Sequence, residues 1–157
     1  MTNDFMIFTV ASQYYGVNLQ DIREIITYTH FTKIPDSRPW VVGMIETRGQ
    51  PMPIIDLRIR FETKIEPTYN DKTVIVATKL ANSRLLGLVV DSVEDIKSFK
   101  NEEILSSSEM DESLHSTLLS GYIQKDDYSI LILNHKEFSV LNDTEHIVKP
   151  QIESNQL

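Results

Sequence analysis

Gly43-Met44-Ile45-Glu46-Thr47-Arg48-Gly49-Gln50-Pro51-Met52-Pro53-Ile54-Ile55-Asp56-Leu57-Arg58-Ile59-Arg60-Phe61 reads as a strand, a tight turn, a second strand and a helical turn. Its pattern returns later in the chain. A shift of 78 positions carries Gly43 onto Gly121, Met44 onto Tyr122, Ile45 onto Ile123, Met52 onto Ile130, Ile54 onto Ile132, Ile55 onto Leu133 and Asp56 onto Asn134, with no gap. A strand, turn, strand unit used twice points to a duplicated barrel. Only the first copy carries the Arg48-Gly49 turn, so one copy reads as scaffold and the other as a site.

A second echo supports the first. Gly16-Val17-Asn18-Leu19-Gln20-Asp21-Ile22-Arg23-Glu24-Ile25 resembles Gly87-Leu88-Val89-Val90-Asp91-Ser92-Val93-Glu94-Asp95-Ile96 at a spacing of 71. The offsets differ by seven, which places a longer connection in the second half, in the polar run 97–116. Outward from these units, 5–10 and 14–19 read as a hairpin, 19–21 as a helical turn and 22–28 as a strand. Further strands are expected at 73–80, 85–90, 93–99, 118–124 and 129–133. Pro51 and Pro53 cannot donate to a ladder, which puts their strand at an edge or places them in its first residues. Helical pieces are expected at 38–42, 56–61 and 135–141. Short strands with turn signals between them favour a barrel or sandwich over βαβ units.

The composition narrows the function. At 157 residues the chain suits one domain or two small subdomains sharing a core. Without cysteine it has no disulfides or thiolate metal sites, which fits a reducing compartment, and no secretory or membrane-spanning segment is read. The expected location is cytoplasmic. A net charge of -8 argues against binding to nucleic acid or to anionic lipid. The expected partner is protein.

Catalytic chemistry is hard to find. His30, His115, His135 and His146 are scattered without metal-ligand spacing, so no metal is expected. Gly87 and Gly121 stand outside any phosphate-cradling loop, and Ser120 lacks the glycine of a nucleophile elbow. No cofactor is expected. Glu94 and Asp95 read as adjacent strand residues on opposite faces, and Asn142-Asp143-Thr144 as a chance sequon. Recognition remains. Arg48 on a rigid corner offers forked donors to a carboxylate, whereas Arg58 and Arg60 read as outward and solvated. Phe31, Ile34, Trp40, Met44 and Met52 exceed what the first half needs for a core, so one or two could mark a partner surface.

Tyr15-Gly16, Ile22-Arg23-Glu24-Ile25, Ile34-Pro35, Gly43-Met44-Ile45, Arg48-Gly49 and Pro53-Ile54-Ile55-Asp56-Leu57-Arg58 follow in an order that resembles the CheW family of bacterial chemotaxis coupling proteins. The resemblance continues through Thr73-Val74-Ile75-Val76, Gly87-Leu88-Val89-Val90-Asp91, Leu119-Ser120-Gly121 and Ile130-Leu131-Ile132-Leu133, covering roughly residues 4–141. It implies an all-β fold of two pseudo-symmetric five-stranded SH3-like barrels forming one domain over 1–142. The first barrel would span roughly 16–68 and the second 70–142 plus the N-terminal strand, with a polar tail at 143–157. It also implies a non-enzymatic adaptor between the cytoplasmic tip of a chemoreceptor and the regulatory domain of the histidine kinase CheA. Position by position, Ile22, Glu24, Arg48 and Val74 match receptor-facing residues, and Phe31 and Pro51 match kinase-facing ones. Glu24 and Arg48 are expected to meet across neighbouring strands.

The chain departs from the family pattern beside that arginine. The usual Asn-Leu before Arg-Gly is Glu46-Thr47, and Gln50-Pro51 stands where aliphatic residues are usual. Those changes leave open a relative serving another sensory pathway, such as pilus or surface sensing. A barrel that binds a small ligand is the rival from a different class.

Overall fold

The apolar run near the N-terminus forms the expected hairpin, β1 (Thr2–Val10) with β2 (Gln13–Asn18), turned by Ala11 and Ser12 at positive φ. One 3-10 turn, Leu19–Asp21, capped by the Asn18 side chain, then sends the chain away from β2 into β3 (Ile22–Thr27). The remaining elements are β4 (Val41–Thr47), β5 (Gln50–Asp56), α1 (Leu57–Arg60), β6 (Val74–Lys79), β7 (Leu85–Val90), β8 (Ser92–Lys100), β9 (Leu105–Ser106), β10 (Leu119–Gln124) and β11 (Ser129–Leu133). This computed structural model describes residues 1–27, 30–64, 66–106, 109, 117–138 and 140. The tail at 143–157, His115, His146, Asn142 and most of 107–116 lie outside the described residues.

The strands build two mixed sheets, β3-β6-β7-β5-β4 and β8-β1-β2-β11-β10-β9. Under the internal repeat, β6, β7, β8, β10 and β11 correspond to β1, β2, β3, β4 and β5, and the two sheets have the same order. Each sheet takes two strands from one repeat and three from the other. Sheet membership therefore divides the chain at 22–90, and β6 and β7 join β3 to β5 instead of starting the second barrel. The correspondence reaches single residues. The parallel pairing of Ile54 with Gly87 is repeated by Ile132 with Gly16. The amide of Asp56 donates to the Trp40 carbonyl as that of Asn134 does to Leu118, at 2.9 and 2.7 Å. The short β9, beside β10, answers an isolated bridge between Thr32 and Met44 in the first barrel.

Three packed clusters explain why so many strand residues are apolar. Along β1, Phe5 and Ile7 point into the second barrel with Ile123, Ile130 and Ile132. Met6, Phe8 and Val10 point the other way, into a shared seam with Ile55, Leu57, Val76 and Leu88. In β6, Ile75 and Ala77 fill the first barrel beside Met52 and Ile54 while Val76 joins the seam. A strand buried on both faces loses the alternation of a half-exposed sheet. Gly43 shows how closely the segments approach. At φ +148° its missing Cβ would lie 2.7 Å from the Thr32 carbonyl oxygen.

Several expectations need correction. β5 lies inside its sheet and not at an edge; as the other alternative expected, Pro51 and Pro53 fall among its first four residues, which pair with β4 alone before β7 joins at Ile54, so they interrupt no ladder. Residues 38–42 are no helix: Pro39 and Trp40 form a turn that leads into β4. The chain from Lys97 to Lys100 continues β8 and is not crossover. Glu94 is the extra residue of a bulge, because Ile7 pairs with Asp95 and Phe8 with Val93, so the two acids do not simply alternate. Both line one cavity. No helix among the described residues is long and apolar enough to cross a membrane.

Candidate functional site

The turn between β4 and β5 is the distinctive local structure. Arg48 and Gly49 both take positive φ, 53° and 77°, the backbone of a two-residue hairpin turn whose twist suits the flanking strands. Glycine adopts that conformation freely. For arginine it costs roughly 1 to 2 kcal/mol, so Arg48 is held there by its surroundings.

Those surroundings come from β3. A bulge at Arg23, between the pairs Ile22 with Thr78 and Glu24 with Ala77, sets the direction of both charged side chains. The Arg48 guanidinium donates to the Glu24 carboxylate at 3.4 Å, and the Thr47 hydroxyl donates to the other oxygen of that carboxylate at 3.5 Å. Arg23 donates to the Gln50 side-chain oxygen at 3.4 Å, and the Gln50 amide donates to the Ser83 carbonyl at 2.8 Å. The expected meeting of Glu24 and Arg48 is present, with one correction. Their strands are not neighbours: β3 and β4 are the two edges of the sheet, and these contacts close it at the tip. The Arg48 side chain stays 67% exposed, so the ion pair orients the guanidinium while leaving it open to a partner.

Ile22 is half-buried against the shared seam beside this tip, and Ile25 on the same strand is an exposed large apolar residue. Val74 lies elsewhere. It pairs with Thr27, three residues along β6 from the Ala77 that faces Glu24, or roughly 10 Å at strand spacing. Glu24 and Arg48 thus meet at the tip, whereas Ile22, paired with Thr78 beside the Glu24–Ala77 pair, lies on the opposite face of β3, and it and Val74 both pack against the shared seam. Phe31 is half-buried, edge-on to Tyr69 at 5.5 Å. Pro51 is exposed on β5 opposite Glu46 and borders a cavity of about 200 Å³ with Met44, Arg84 and Leu85.

Sequence reading missed a buried cluster. Arg58 is not solvated: its Nε and Nη2 donate to the two carboxylate oxygens of Asp56 at 3.0 and 2.9 Å, and both residues are buried. Asp56 also caps α1 by accepting from the Arg58 amide and takes a 2.6 Å hydrogen bond from the Tyr69 hydroxyl. Burial works to lower the Arg58 pKa, but the bond and the charge of Asp56 reverse this and hold it above its ordinary value. Burial, then the bond to Asp56, pushes the Tyr69 phenol up. Arg60 lies over the Trp40 ring at 4.7 Å, so it too is engaged. The aspartate two residues before an arginine at a helix start was the available signal. Buried His135 bonds the Lys79 carbonyl at 2.9 Å, a structural role. Among the described residues no three His, Asp or Glu side chains gather as a metal site.

What this arrangement offers is a contact surface: an oriented cation, an exposed isoleucine on the same edge strand and a rigid corner. Comparison with known proteins agrees in kind. A model of the CheW-like domain matches residues 4–140. The chain is 32% identical over 118 residues to the chemotaxis protein CheW of Klebsiella aerogenes, covering 75% of this chain and 70% of that protein. It is 30% identical over 121 residues to the chemotaxis protein CheW of Rhizobium meliloti, covering 76% of each. The protein PilI of Pseudomonas aeruginosa is 26% identical over 92 residues, covering 59% of this chain and 51% of PilI. Among solved structures, the scaffolding protein TtCheW from Thermoanaerobacter tengcongensis superposes with a TM-score of 0.75, covering 89% of this chain and 99% of that one. At 24% identity that likeness shows a shared fold of two small SH3-like barrels.

Proposed function

Because this chain belongs to the CheW family, we propose that it is a non-enzymatic adaptor coupling the cytoplasmic tip of a chemoreceptor to the regulatory domain of the histidine kinase CheA. In this reading Ile22, Glu24 and Arg48 face the receptor, and Val74 joins them from the groove side. Phe31 and Pro51 belong to the kinase-facing end of the first barrel. The adaptor works in the cytoplasm and reaches the receptor arrays through its partners.

The observation that carries this reading is the closed tip. Arg48 is kept in an unfavourable backbone conformation, and its guanidinium is aimed by Glu24 yet remains open to solvent. A side chain so placed loses little freedom on binding, which is where a protein contact gains affinity. Bridging two partners raises their effective concentration near each other. The kinase then responds to the receptor only if the receptor's two states engage the bridge differently.

A receptor of a different sensory pathway is the second reading, and Thr47 and Gln50 favour it. Both depart from the family pattern, and both take part in closing the tip. The testing experiment is capture of partners from the source cytosol, followed by measured binding to a receptor-tip fragment and to the isolated kinase regulatory domain. Binding to both supports the chemotaxis adaptor. Binding to the kinase domain with a receptor of another pathway supports the second reading, and binding to neither defeats the adaptor.

A further inference from the structure

The closure of the first barrel does not recur in the second. By the repeat, Glu94 stands in the place of Arg23, Asp95 in that of Glu24, Asp126 in that of Arg48 and Tyr128 in that of Gln50. The bulge is preserved, since Glu94 is the extra residue of β8 as Arg23 is of β3. The cation is not: the Arg48 position is now an acid, and neither Asp126 nor Asp127 takes the positive φ of the first turn.

A cavity of about 220 Å³ lies where the closing contacts would be, lined by Tyr14, Tyr128, Glu94, Asp95 and Lys97 over an isoleucine floor. The two rings meet edge to face at 5.5 Å, and the Lys97 ammonium lies 5.3 Å from the centre of the Tyr128 ring. Glu94 is bonded to Ser92, and Asp95 takes the amide of Ile96 on its own strand. Among the described residues neither acid has an ion-pair partner. Two carboxylates and one ammonium leave one negative charge uncompensated at the cavity.

We propose that this cavity binds an arginine side chain presented by a protein partner, whose guanidinium completes the second barrel as Arg48 completes the first. Arginine fits the lining better than the alternatives. Its planar fork matches carboxylate oxygens and its face stacks on tyrosine. A bare divalent ion would find only two carboxylate side chains, short of the roughly six to eight oxygens it needs. The occupant comes from outside because the residue placed to fill the site is Asp126. Neither the receptor nor the kinase enters this inference, so its failure and that of the adaptor reading are separate.

The test follows the Tyr14 and Tyr128 ring signals by NMR in the full chain during titration with N-acetyl-arginine amide and with its neutral citrulline counterpart. Saturable shifts at both rings with arginine alone are expected. Binding should weaken about tenfold when Glu94→Gln and Asp95→Asn are combined, removing the charge-assisted bonds. Asp126→Arg, on an exposed turn, should abolish binding by placing the chain's own guanidinium in the cavity. Absence of a saturable shift, equal shifts with citrulline, or unchanged binding in both variants would overturn the proposal.

Discussion

Glu24 on the edge strand β3 and Arg48 in the turn after the opposite edge strand β4 meet at 3.4 Å, so one ion pair both helps close the first barrel and aims an exposed cation. The pair is solvent-accessible on the arginine side, and such contacts contribute roughly 0 to 1 kcal/mol to stability. Its importance therefore lies in direction.

That claim predicts coupling. Arg48→Ala and Glu24→Ala should each weaken receptor-tip binding, and the double variant should lose less than the sum of the two, because removing Glu24 matters mainly through Arg48. Calorimetric affinities for the three variants check this, and additive losses remove the coupling.

Stability and binding should also separate at the turn. Arg48→Asn keeps a residue that tolerates positive φ, so unfolding stability should stay within about 1 kcal/mol of the parent, or rise, while receptor affinity falls. A large loss of stability in denaturant titration would show that Arg48 is chiefly structural.

The Asp56 and Arg58 pair should behave in the opposite way. Both are buried, and removing Asp56 leaves Arg58, among the described residues, only its longer ion pair with Asp91 at 3.9 Å, so Asp56→Ala should cost about 3 to 5 kcal/mol of stability. Replacing both by apolar residues should cost less than Asp56→Ala alone. Urea unfolding of the single and double variants measures the difference.

Tyr69 predicts an alkaline limit. Its folded pKa lies above the ordinary 10.0, so the stability it confers is fully present below that value and is lost as pH rises past it, when the unfolded chain releases the proton first. Unfolding free energy measured across that range should fall with pH, and Tyr69→Phe should flatten the fall. An unchanged slope in Tyr69→Phe would assign the pH dependence to another group.

The duplicated architecture was legible because a strand, turn, strand unit announces itself through glycine and aliphatic spacing, and a shift of 78 positions aligned it without gaps. Which strands share a sheet was not legible. The Leu19–Asp21 turn and its counterpart before β8 send each third strand to the other sheet, and that exchange leaves no mark on local periodicity. Arg48 was legible as an arginine on a tight, exposed turn, and its opposite charge to Glu24 suggested their contact. Arg58 was misread because a short helix has no fixed outward face. The capping of α1 by Asp56 folds that arginine back over the seam. Thr47 and Gln50 were legible only as departures from the family pattern, and their side chains turn out to help hold the tip.

Bridging is the central claim, and sedimentation of the full chain mixed with a receptor-tip fragment and the kinase regulatory domain tests it most directly. The prediction is one complex containing all three, from which Arg48→Ala removes the receptor fragment and leaves the kinase domain bound. Two binary complexes that exclude each other, or no complex with either partner, would contradict it.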